Sequence, residues 1–355
     1  MAIRLKKGWK YALSVLLGLG SLGGVLYVVG WRRIFAEMQA LGAMGIAAVV
    51  GTTLIAMVLW ILCWWIILRS YGIRLPLRRV IGARLSGYAV SYLTPTLYFG
   101  GEPVRALLVV GSSEVPTTRI FATIVVERFL GGLSMIVFIL IGSFYAITSP
   151  RISATYKETL IAGVSFITFW IVVGLINFAW NFKWISRLIR LLGRPFARWR
   201  DPLERAASKV SETEDEIHRA FTVHWKGTLL AFLVQTLATS FVYVRPHIFF
   251  HFSADIWFTF PQLSLLFTLN ILVSSFLWLT PGGLGTGEAA QIGIFRLAAG
   301  SAVSSGGATA YSLIYKFAET ILVAAGILYL VQRGIGRFGK ARRGAASEIG
   351  GPPAD

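Results

Sequence analysis

Four glutamates, Glu102, Glu127, Glu288 and Glu319, lie within apolar sequence together with Arg105, Arg128, Arg245, Arg296 and Lys316. A charge at membrane depth costs at least about 2.5–3.5 kcal/mol on the insertion scale, so each must face a partner or a polar cavity. Arg105, Arg128, Arg245 and Lys316 suit an anionic lipid headgroup, and the glutamates would shape its site or hold a cationic part. The competing expectation is structural. Buried ion pairs could hold short helices together, and one-turn spacing favours a local pair between Lys316 and Glu319.

Two irregular stretches would position these charges. Leu93–Glu102 reads LTPTLYFGGE and Leu279–Ala290 reads LTPGGLGTGEAA, so Leu-Thr-Pro, five residues and Gly-Glu recur at the same internal spacing, 186 positions apart. Thr94, Pro95 and Gly101 in the first, and Pro281, Gly282, Gly283 and Gly285 in the second, are helix-breaking or turn-forming. In each half a further glutamate follows the Gly-Glu, 25 or 31 residues on, with a basic neighbour: Glu127 beside Arg128, and Glu319 after Lys316. Broken apolar segments in corresponding positions of two halves point to the binding site of a transporter built from repeats. Half-helix N-termini after each break would add backbone donors for a phosphate.

Composition sets the class. Of 355 residues 55% are hydrophobic and 14% charged, and the mean hydropathy is +0.68, too little charge to solvate a soluble chain of this size. An all-α polytopic membrane protein is expected. The net charge of +18 does not point to nucleic acid, because the basic residues fall in loops between apolar runs. Cys63 stands alone between apolar neighbours, which excludes a disulfide framework and a cysteine zinc site. His247, His251 and Asp255 share a helical face and could hold a metal, but their place among aromatics at a span end makes them interfacial residues. Gly285–Ala290 matches a loose dinucleotide fingerprint without the strand–helix alternation that motif needs. No metal, cofactor or catalytic residue is expected.

About seven full spans and two broken segments can be placed, in one membrane domain over residues 1–331. The spans cover about 11–30, 44–68, 119–147, 159–181, 227–252, 256–280 and 308–331, with a short interfacial helix at 31–43. Residues 80–111 form a re-entrant hairpin broken at 94–103, and 284–299 completes the second broken unit. The pseudo-repeats cover about 44–181 and 227–331, separated by a basic connector over 182–226. Part of that connector, with Trp184, Leu188, Leu191 and Leu192 against Lys183, Arg187, Arg190 and Arg194, suits a helix lying on an anionic leaflet. Residues 332–355 read as a basic, disordered tail. With both termini cytoplasmic, 24 basic residues lie inside and four outside, which also puts the two broken hairpins on opposite sides, as an inverted repeat requires.

Taken as a set, TP…GGEPVRALLV around Glu102 and Arg105, VERF around Glu127 and Arg128, TPGGLGTGE ending at Glu288, and the Tyr315-Lys316 to Glu319 region resemble a flippase-like family. That family includes the transmembrane region of bacterial lysylphosphatidylglycerol synthases. The resemblance implies a cytoplasmic-membrane protein that moves a charged lipid, anionic or aminoacylated, between leaflets. Full-length synthases carry a large soluble catalytic domain after the membrane region, and only 24 residues follow Val331 here, so lipid synthesis is not expected. The alternatives are a membrane-embedded lipid-modifying enzyme with Glu102 or Glu288 as general base, and a scaffold for a lipid-synthesis complex. Expected partners are the lipid, an anionic leaflet, and either a second copy or a lipid-synthesis protein.

Overall fold

A computed structural model describes the backbone of residues 16, 19–20, 22–94, 100–110, 115–148, 154–193, 200–277 and 280–349. The described residues are helical apart from short turns. Eleven helices are named here: α1 Trp31–Ser70, α2 Leu77–Leu93, α3 Glu102–Val110, α4 Thr117–Thr148, α5 Ala154–Trp180, α6 Trp184–Gly193, α7 Arg200–Thr222, α8 Trp225–Ala254, α9 Phe260–Leu277, α10 Thr286–Ala299 and α11 Ser305–Ile349. Five stretches among them are long and apolar enough to cross a membrane: Trp31–Ser70, Thr117–Thr148, Leu160–Trp180, Trp225–Ala254 and Ser305–Arg333. Of the predicted first span, 11–30, residues 11–15, 17, 18 and 21 lie outside the described residues and 22–29 are helical, and α9 has 18 residues.

The boundaries follow from local chemistry. α1 bends at Gly42, whose φ of 66° and ψ of 173° only glycine adopts readily, so the predicted interfacial helix and second span are one element with a corner. α2 starts after Pro76, where the missing N–H costs a helix nothing. α11 continues to Ile349, through residues expected to be disordered.

Two apolar clusters form the core. One joins α1, α2, α4 and α8 around Trp64, Ile67, Ile120 and Leu130. The other joins α8, α10 and α11, where Phe250, Phe295 and Tyr311 pack edge on. Lipid tails are as apolar as leucine, so close backbone approach rather than exclusion from water drives helix packing in a bilayer. Glycines supply that approach here. A Cβ at Gly326 of α11 would land on the Leu85 carbonyl of α2, and one at Gly142 of α4 on the Ser264 carbonyl of α9.

The connector makes a small polar layer. Partial burial raises the Asp215 carboxyl, but hydrogen bonds from Lys183 and Asn181 outweigh it and hold the group below the usual carboxylate range.

Candidate functional site

At the first broken motif the described residues bring the start of α3 against α2. A Cβ on Gly101 would collide with the Gly87 carbonyl, and the Gly101 N–H donates to Ser91 Oγ at 2.9 Å, so α3 starts directly against α2. Pro95 lies outside the described residues, while Thr94 hydrogen-bonds the Val90 carbonyl at 2.7 Å. Glu102 opens α3 and reaches Arg128 at 2.6 Å. Arg105, one turn on, meets Glu127 at 2.7 Å and lies 4.1 Å from the centre of the Trp64 ring. Glu127 also takes Arg84 at 3.0 Å. Five charges thus form a network of three arginines and two glutamates, in which Arg105 is 1% and Glu127 2% exposed. Arg128 keeps 35% of its side chain exposed.

At the second break Gly282, Gly283 and Gly285 all have positive φ (61°, 60° and 76°), which turns the chain from α9 into α10 after Pro281. Glu288, fully buried, accepts from the Gly285 N–H at 2.7 Å and so satisfies a donor at the start of α10. Lys316 donates to Glu288 at 2.8 Å and to the Gly283 carbonyl at 2.7 Å. The one-turn pair of Lys316 with Glu319 does not form, because the carboxylate and the carbonyl at the break offer the ammonium two acceptors at once. Lys316→Met alone should therefore destabilise the fold more than Lys316→Met combined with Glu288→Gln, since the single change strands a buried carboxylate. Equal melting temperatures in detergent for both variants and the parent would contradict this.

The two halves meet around a cavity. A Cβ at Gly282 would strike the Tyr92 ring of α2, and Tyr88 of α2 lies beside Glu319 on α11. Between α4, α8, α9, α10 and α11 lies a cavity of about 250 Å³. Arg245 and Glu319 face it beside Tyr243, Tyr315, Asn270 and Gln291. Arg245 donates to Thr52 Oγ1 at 3.3 Å and sits 5.5 Å from the Tyr315 ring centre. No described carboxylate comes within ion-pair distance of Arg245, and Glu319 Oε2 is buried without a hydrogen-bond partner. Pro246 follows Arg245 inside α8 and has no N–H for the Val242 carbonyl one turn back. Both residues line the cavity. Asn270 and Gln291 exchange amide hydrogen bonds of 2.7 and 3.4 Å across its floor.

Of the charges singled out in the sequence, only Arg245 and Glu319 line this cavity. Arg105 pairs with Glu127 and Lys316 with Glu288, and Arg296 is exposed on α10. Sequence reasoning missed two residues. Arg84 is one of the 24 basic residues counted there as cytoplasmic, yet it is buried against Glu127, and Tyr88 one turn along α2 lies beside Glu319. The spacing of Arg84, Tyr88 and Ser91 on one face of α2 is the signal that could have found them. His247 accepts the Phe258 N–H at 3.2 Å and His251 lies 3.5 Å from Asp255, a capping arrangement at the end of α8.

No solved structure matches the chain significantly. Among curated proteins it is 25% identical over 321 residues to a UPF0104 membrane protein of Methanothermobacter thermautotrophicus, covering 87% of this chain and 91% of that one. A UPF0104 membrane protein of Pyrococcus horikoshii is 26% identical over 302 residues, covering 81% and 87%. The lysylphosphatidylglycerol synthase TM region matches residues 11–326, a stretch that contains both breaks, the five-charge network and the cavity, and the chain belongs to that family.

Proposed function

We propose that the protein moves a charged lipid between the leaflets of the cytoplasmic membrane, its headgroup passing through the cavity while its tails stay in the bilayer. The observation that carries this is the pair Arg245 and Glu319, two charged groups that face one cavity within apolar helices and form no ion pair with each other. Such groups are costly to bury and mark substrate paths. About 250 Å³ holds roughly eight waters at their share of liquid volume, which suits a headgroup and not a whole lipid. Arg245 is the anion-binding member, with Tyr315 and Asn270 as neutral donors, and Glu319 takes a cationic part.

The lipid-modifying alternative has less support. It needs a free carboxylate, and both Glu102 and Glu288 are held by cations at hydrogen-bond distance. In proteoliposomes carrying a fluorescent lipid reduced from one side, the protein should speed exchange of its lipid between leaflets. Trials should cover phospholipid, aminoacyl-lipid and polyprenyl-phosphate. Chemical conversion of one of these without exchange would replace transport by the enzyme reading.

The topology belongs to the same proposal: seven spans, two broken segments related as an inverted repeat, and both termini cytoplasmic. Moving Arg84 from the inside tally to the buried network leaves the charge bias intact. In a Cys63→Ala background, cysteines near Gly42 and Ser153 should react with an impermeant thiol reagent in intact cells, and cysteines near Ser208 and Ser347 should not. The reverse pattern would remove the inverted-repeat argument.

A further inference from the structure

Helix α6 is fixed in place with unusual care for a ten-residue surface element. Asn181 and Lys183 turn the chain back at positive φ (52° and 54°). The Asn177 side chain accepts the Trp184 N–H at 3.1 Å, and the Glu214 carboxylate of α7 accepts the Ile185 and Ser186 N–H groups at 3.1 and 3.3 Å. Asn177 and Glu214 are themselves buried. Three donors at the start of α6 are thus satisfied by buried side chains, so α6 is held at a set position beside α5.

That position leaves a groove. Trp170, Gly174 and Phe178 of α5 and Ile185, Leu188 and Leu191 of α6 line a hollow of about 560 Å³. Trp170 lies ten residues before the end of the span at Trp180, about 15 Å along the helix, or roughly half the hydrocarbon thickness. The groove therefore runs from the end of the span toward its middle, over the depth of one leaflet. Trp170, Leu188 and Leu191 remain more than half exposed. One cation stands at its edge. Lys183 pairs with Asp215 and Arg190 with Glu204, but Arg187, which lines the groove, has no ion-pair partner among the described residues.

We infer that the groove between α5 and α6 is a binding site for one anionic phospholipid, separate from the cavity around Arg245, with an acyl chain against Trp170, Gly174 and Leu188 and the phosphate at Arg187. Charge complementarity selects this occupant. An apolar helix of a partner or of a second copy would fill the hollow but leave the guanidinium without a counter-charge, whereas an anionic phospholipid supplies both the chain and the charge. The site does not depend on transport.

Photo-crosslinking tests it, using the full chain in vesicles containing phosphatidylglycerol or phosphatidylcholine with a diazirine in the acyl chain. Phosphatidylglycerol should label peptides within residues 166–192 in preference to phosphatidylcholine. Arg187→Gln should cut that labelling about fivefold, the effect of one basic residue at an anionic surface. Leu188→Trp, which fills the groove from an exposed position, should cut labelling by both lipids. Equal labelling by the two lipids in the parent would mean annular lipid only and would overturn the site. So would unchanged labelling in Arg187→Gln, or no labelling of these peptides by either lipid.

Discussion

Glu127→Gln should cost about 3–5 kcal/mol of stability, the largest effect of any single neutralisation in the chain, because it leaves buried cations without their counter-charge. Among the described residues Glu127 is the one acid that touches both Arg84 and Arg105, at 3.0 and 2.7 Å, and both arginines are buried. Glutamine keeps the shape and can still accept, so the loss isolates charge from volume. With two guanidiniums left facing a neutral amide, α2, α3 and α4 lose the group that joins them. Arg105 retains its place over Trp64, but a cation–π contact contributes only about 2 kcal/mol even when desolvated. The check is the melting temperature and monodispersity of the purified protein in detergent. A Glu127→Gln protein as stable as the parent would show that water reaches the network and that its charges belong to the transport path.

The same network shows where sequence reasoning reaches and where it stops. Apolar runs bounded by basic or aromatic residues placed α4, α5 and α8 to within a few residues, because a bilayer demands that length and allows little else. The second break was legible for a related reason, since positive φ falls to glycine, whereas the bend at Gly42 was not singled out. Partner choice was not legible. Glu127 follows Arg105 by 22 positions and Arg84 by 43, and Arg128 adjoins Glu127 yet binds Glu102, since neighbours in a helix point to different faces. Lys316 faced the same ambiguity. Its one-turn neighbour Glu319 competed with Glu288, 28 residues away, and the tertiary approach of the break decided it. The cavity itself could not be read, because its lining comes from five helices and several of its residues are ordinary apolar or amide side chains.

Arg245→Gln should slow transport by roughly ten- to a hundredfold while leaving the fold intact, the opposite of what Glu127→Gln does. Among the described residues no acid lies within ion-pair distance of Arg245, and its one described side-chain hydrogen bond is to Thr52 at 3.3 Å, a length at which little is lost. Removing an unpaired cation from a low-dielectric site takes away a desolvation cost, so the melting temperature should stay at or above that of the parent. Transport has no such compensation. If the headgroup's anion is held by Arg245 during passage, losing a charge-assisted hydrogen bond of about 1.5–3 kcal/mol slows exchange by roughly ten- to a hundredfold. Glu319→Gln supplies the complementary readout. Its Oε2 is buried without a hydrogen-bond partner, and Tyr88 of α2 lies beside the carboxylate. Neutralising it should slow exchange of a headgroup with a cationic part and spare one that is purely anionic. The two variants together therefore report the charge of the lipid as well as the location of its path. Exchange at the parent rate in Arg245→Gln vesicles, for every lipid the parent moves, would take the path away from this cavity and return it to the exposed side of Arg128.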